Sequence, residues 1–184
     1  MAEKTIELPK ISEDNEKYKF TGEYITIEIN GEKHTLYRIM ATKDIINKHG
    51  IIVARAGDRG GFIEKEDNLD HRSNAWVSGH AMVIGGAVVT DEAYVSQHAV
   101  VTDKAKVSGY AHVYGYAEVS GEAEVSGEAN VGDHAVVTEH VVVTDKAFVG
   151  GYAVLYGYVV VSGYDYEVED LPSEEYAVKK VKRH

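Results

Sequence analysis

Between residues 75 and 164 the chain repeats itself every six residues, fifteen times over and without insertion. The hexads run from AWVSGH, AMVIGG and AVVTDE to AVLYGY and VVVSGY. Their first slot is Ala except at Val141 and Val159, their third is Val except at Leu155, and their fifth is Gly, Asp, Glu or Gln. Self-similarity at a fixed period is the mark of a solenoid. On an extended chain, slots one and three point to the same side. Slot five suits a turn, because Gly tolerates positive φ and Asp bonds its own backbone. Three such units close a triangular coil of eighteen residues, and successive coils pair edge to edge about 4.8 Å apart. The sequence therefore predicts an all-β prism with a dry interior of alanines and valines.

The hexads resemble those of the hexapeptide-repeat, left-handed parallel β-helix proteins, over 90 of the 184 residues. The resemblance implies a left-handed parallel β-helix of five 18-residue coils. It also implies a parallel homotrimer, the usual state of that fold. It implies no particular chemistry, since one fold hosts many functions.

Ahead of the repeat, residues 1–22 read as a polar arm and 23–68 as a cap. Within the cap, EYITIEINGEKHTLYRI carries Asn30-Gly31, the preferred type I′ hairpin turn, between two alternating runs. That turn sets Ile25 against Leu36, Ile27 against His34 and Glu28 against Lys33. A lone hairpin is marginal, so its apolar face is expected to cover the open first coil. Residues 69–164 form the β-helix, and 165–184 a short C-terminal capping segment or tail, with Ser173 as a helix cap. A second resemblance covers residues 36–77. Leu36, Tyr37, Arg38, Gly57, Asp58, Gly60, Gly61, Glu66, Asn68, Leu69, Asn74, Trp76 and Val77 match the leader of hexapeptide-repeat proteins found in phages and prophages. Ser73 and Ala75 depart from the Gly and Cys usual there, and IINKHGIIVAR lengthens the connection.

The chain has no Cys, so disulfides and thiol chemistry are excluded. Its first twenty residues lack the apolar run of a signal peptide or membrane anchor. A cytoplasmic location, in a bacterial host, is expected. A net charge of −11 opposes nonspecific binding to nucleic acid or anionic membrane.

Residues eighteen apart stack in columns. One corner column reads His80, His98, Tyr116, His134, Tyr152, and the outward slot beside it Trp76, Tyr94, His112, Asn130, Phe148. Aromatic groups are enriched at interfaces, so this edge is the expected contact between subunits. The other reading is stacking that only stabilises the coil edge. Trp76, His80, Tyr94, His98, His112 and Tyr116, with Arg72 and Arg59 toward the N-terminal end, are the candidate ligand-binding residues for a small nucleotide-like molecule held between copies. Lys104, Lys106 and Lys146 stack one coil from Glu122, Glu124 and Glu128, and are expected to pair with them. Zinc is not expected, because the H-x4-H pair of the γ-class carbonic anhydrases is missing, although His80 and His98 stack. Acyltransferases of this fold interrupt their coils with a pocket-building loop, and residues 75–164 contain none. The expected protein is a non-enzymatic binder without cofactor. The alternatives are a protein-binding inhibitor or structural module using the exposed valines of the last coils, an acyltransferase-like enzyme, and an acidic mimic of nucleic acid.

Overall fold

The computed structural model describes residues 7–168. Among these, three parallel sheets form the walls of a β-solenoid of about six turns. Each hexad contributes a two-residue strand, except the one beginning at Ala147, whose strand spans four residues. The first wall carries Met82–Val83, Val100–Val101, Glu118–Val119, Val136–Val137 and Val154–Leu155. The second carries Val88–Val89, Lys106–Val107, Glu124–Val125, Val142–Val143 and Val160–Val161. The third runs from Trp76–Val77 through Tyr94–Val95, His112–Val113, Asn130–Val131 and Lys146–Val149 to Tyr164–Val168. Partners are eighteen apart, as in Val100 with Glu118 and His112 with Asn130. Every first-slot and third-slot residue from Ala75 to Ala153 is at most 1% exposed. Each buried valine contributes on the order of 1.5–3 kcal/mol, and Ala beside the corner leaves room for the facing walls to meet.

Every fifth slot has positive φ, including the six that are not glycine, at φ 56–60°. Such a backbone costs an L-residue about 1–2 kcal/mol, and the side chain returns part of it. Asp91 accepts from Gly109 N–H at 3.0 Å, Gln97 from Gly115 at 3.1 Å, and Asp103 from Gly121 at 2.9 Å. Asp133 does the same for Gly151 at 3.0 Å, and Glu139 for Gly157 at 2.8 Å. In each of these bonds the donor one coil further on belongs to a glycine.

The first coil is built by the leader. Strand β1 is Tyr18–Ile29, β2 Glu32–Ala41, β3 Ile45–Ile46, β4 Ile52–Ala54 and β5 Arg59–Ile63. The β1–β2 register is the expected one, Ile25 with Leu36, Ile27 with His34 and Glu28 with Lys33, around Asn30 and Gly31 at φ 50° and 82°. The strand starts at Tyr18, earlier than the alternating run suggests, because a bulge between Phe20 and Tyr24 carries it past Gly22 at φ 90°. Through β2 and β5 the hairpin extends the first wall. Its base closes the end of the core, with Tyr18, Phe20, Tyr37 and Ile39 in the same buried cluster as Trp76 and Val77. Its tip does something the sequence does not suggest. Ile25, Ile27, Ile29 and Leu36 pack with Phe62, Met82, Ile84 and Val100 in a second cluster, which draws in the outward residues of the first wall.

The leader motif is structural. A Cβ on Gly60 would meet Ile39 at 2.6 Å and Trp76 at 2.8 Å, and one on Gly61 would meet the Ala81 carbonyl at 2.5 Å. These glycines are set by close approach, not by a phosphate. Asn68, fully buried, accepts from the N–H groups of Glu64 and Lys65 and donates to the carbonyls of Gly85 and Ala87. Arg38 donates to the Gly60 and Gly79 carbonyls, pairs with Glu23 and lies 4.1 Å over the Phe62 ring. From residue 7 onward the arm lies against this coil: Ser12 and Asn15 donate to Glu66, and buried Lys17 donates to the Asp70 carbonyl at 2.7 Å. The lengthened connection forms the β3–β4 hairpin, whose Lys48 ammonium sits 3.9 Å over the Tyr110 ring. The helix cap expected at Ser173 lies outside the described residues.

Candidate interaction edge

Slot six of one hexad in three lies at the corner between the third and first walls. It places His80, His98, Tyr116, His134 and Tyr152 one above another. Their rings stack at 5.2, 4.9, 5.2 and 4.9 Å with interplanar angles of 3–7°. All five are exposed, Tyr116 at 61% and Tyr152 at 68%. Because the three inner rings have both faces taken by their neighbours, the ladder offers edges outward: imidazole nitrogens and phenol hydroxyls repeated at the strand spacing. It carries no fixed charge. The other two corners do, with Lys104 and Glu122 on one and Glu92, Glu128 and Lys146 on the other.

Beside the ladder, on the third wall, Tyr94 and His112 are half-buried, their rings 5.1 Å apart, and Tyr114 packs 4.7 Å from His112. Burial pushes the His112 imidazole below its ordinary range. His112 Nε2 lies 2.9 Å from Ser96 Oγ. The pair has the look of a base and a nucleophile, but Ser78 Oγ meets the Tyr94 hydroxyl at 2.7 Å across the same sixteen residues one coil below. The contact is how this column satisfies its hydroxyls. Ser96 is also only 6% exposed.

The eight residues expected to form one ligand site are not brought together. His80, His98 and Tyr116 lie in the ladder, with Tyr94 and His112 next to it. Trp76 is 1% exposed beneath the cap and presents nothing to an outer groove, because leader residues that obey no period cover its outward slot. Arg59 is held by Glu23, and Arg72 by Asp14 at 2.9 Å. The hollow at this N-terminal end, about 280 Å³, is lined by Glu66, Asp67 and Asp70 as well as Ser12, Leu69, His71 and Arg72. Burial works to raise the Glu66 carboxyl, but hydrogen bonds from Ser12 and Asn15 outweigh it and hold it below its usual range. An end so rich in ionised carboxylates repels phosphate.

The stacked His80 and His98 rings lie within 7° of parallel, so their lone pairs run alongside each other and do not converge on a metal. Among the described residues no group of three or more His, Asp or Glu is placed to hold one. The three expected ion pairs are made, Lys104–Glu122 at 3.0 Å, Lys106–Glu124 at 3.4 Å and Lys146–Glu128 at 3.2 Å, and His140 joins Glu122 at 3.4 Å. They are exposed to solvent, so each contributes little to stability. No helix among the described residues is long and apolar enough to cross a membrane. No protein-family model matches the chain, and a search of curated proteins finds no match either.

Proposed function

We propose that this protein is a non-catalytic binding protein that assembles with copies of itself, as a homotrimer, through the His/Tyr ladder. The observation that carries the reading is the ladder: five exposed, stacked rings without Asp, Glu, Lys or Arg, running along one corner of the prism. A chain of net charge −11 repels its copies over most of its surface. A neutral aromatic edge is where that repulsion is least and the apolar gain is greatest. A parallel neighbour shares its rung spacing, so ring edges meet in register. The unbroken hexads leave no loop from which to build a catalytic pocket, and the Ser96–His112 contact repeats a packing pattern.

Light scattering behind size exclusion tests this. The wild type should have three times the chain mass, and Tyr116→Asp, at an exposed position, should have the mass of one chain with an unchanged β spectrum. A monomeric wild type at micromolar concentration would sink the reading.

A second reading is supported by His112 and Tyr94, half-buried beside the ladder. A small nucleotide-like ligand held between copies would use Tyr94, His98, His112 and Tyr116, with its base at a ring edge. The phage-type leader would place such a binder in the cytoplasm of an infected bacterium. Its phosphates cannot count on Arg59 and Arg72 without breaking the pairs with Glu23 and Asp14. Thermal-shift screening with cyclic nucleotides and ADP-ribose derivatives decides it. No shift at millimolar ligand removes this second reading and leaves the first standing.

A further inference from the structure

The second wall and the corner leading into it form bands. Rung by rung, the pairs are Gly86 and Val88, Lys104 and Lys106, Glu122 and Glu124, His140 and Val142, then Tyr158 and Val160. The stacking is direct: Val88 pairs with Lys106, Lys106 with Glu124, Glu124 with Val142 and Val142 with Val160. The two charged rungs and the His140 rung border a surface depression of about 500 Å³. Above it, Tyr158 is 87% exposed and stacks on His140 at 4.5 Å, and Val160 is 48% exposed.

We propose that this wall pairs with the same wall of a second copy running antiparallel. A two-fold axis along the strand direction, between the Lys106 and Glu124 rungs, keeps each column facing itself and inverts the order of rungs. Lys106 then faces the second copy's Glu124, and Lys104 its Glu122. Val88 faces Val142, and the bare Gly86 makes room for His140. The banding is complementary to itself in this orientation alone. A parallel copy in register would set lysine on lysine and glutamate on glutamate, which is unfavourable. The inference does not depend on the ladder, which is on a different corner. Exposed ion pairs contribute little each, so the charges choose the orientation and the valines supply the contact. A wall five rungs tall measures about 24 Å, less contact than the roughly 800 Å² a side of a stable complex. Pairing is accordingly weak and concentration-dependent.

Two charge-inverted variants test it, Lys104→Glu with Lys106→Glu, and Glu122→Lys with Glu124→Lys. Each is run alone and mixed with the other in sedimentation equilibrium at low salt and high protein concentration. The wild type should rise above the mass of either variant alone, and is not limited to twice that mass where a trimer presents three such walls; the equimolar mixture should regain the wild-type mass. Val142→Asp, which sets a charge against Val88 of the second copy, should also stay at the lower mass, and this measurement holds even if a charge-inverted variant misfolds. A wild type that never exceeds its unit mass, variants that keep the wild-type mass, or a mixture that stays at unit mass would each overturn the proposal. Tyr116→Asp serves as the control: with one wall per particle it should lower the unit mass and then pair to twice that lower mass.

Discussion

Replacing Lys17 with methionine isolates one buried charge at the N-terminal end. Lys17 is 2% exposed, and its ammonium donates to the Asp70 carbonyl. Burial lowers its pKa to about 7 from the usual 10.5, with Asp70 pulling the other way. The folded-state value is depressed, so between about pH 7 and pH 10 the unfolded chain keeps a proton that the folded chain has lost. Stability then rises with pH, because the unfolded state binds more protons there. Below pH 7 both states are protonated and the slope vanishes. Taken over the interval, the two values correspond to an increase of about 3–4 kcal/mol from pH 7 to pH 10. Methionine keeps the stem's volume and removes the titration, so Lys17→Met should be more stable than wild type near pH 7 by a comparable amount, less about 1 kcal/mol for the lost hydrogen bond. Trp76, the single tryptophan, is buried in the same cluster as Tyr18 and reports on this end of the molecule. The assay is urea unfolding by Trp fluorescence at several pH values. Parallel pH profiles for wild type and variant would refute the reasoning.

Further expectations concern the same end and the coils. Tyr18 is buried with its hydroxyl on the Glu66 and Leu69 carbonyls, and burial raises its phenol well above the usual range, so stability should fall again above about pH 10, and Tyr18→Phe should blunt that fall. Asn68→Ala strips the Glu64 and Lys65 N–H groups of their acceptor and should cost about 2–4 kcal/mol in denaturant unfolding. In Gly121→Ala a Cβ meets Glu139 N at 2.6 Å, whereas Gly157 has open space at a similar φ, so thermal melts should show the first variant losing clearly more than the second. Lys106→Ala should change the melt by less than about 0.5 kcal/mol.

Whatever obeys the period was legible in the sequence. Eighteen-residue arithmetic places the ring ladder, the Lys–Glu pairs and the dry core, because parallel pairing without insertion leaves no other register. Asn30-Gly31 likewise determines the hairpin pairing, since a two-residue turn admits one register. What escaped comes from segments that do not repeat. Trp76 occupies an outward slot by pattern, but the cap and β5 fold over it. Arg59 and Arg72 read as free cations because their partners Glu23 and Asp14 lie far off in sequence. The reach of the hairpin tip across the first wall had no local signal: Ile27 and Ile29 face Met82 and Val100 only once the chain has turned back. The alternation of glycine with Asp, Gln or Glu in slot five was visible in two of the three columns, and its meaning needed the N–H geometry.

That alternation limits how such a prism can grow. Two of the three columns, Gly79, Gln97, Gly115, Asp133, Gly151 and Gly85, Asp103, Gly121, Glu139, Gly157, recur every thirty-six residues, while the third, Asp91, Gly109, Gly127, Asp145, Gly163, does not. Copying a single turn, such as 97–114, would seat one glutamine directly on another and leave the lower one without the glycine amide it reaches for. Copying two turns preserves the sequence of acceptors and amides. The module by which this chain can be lengthened or shortened is therefore a double turn, twice the unit its hexads advertise.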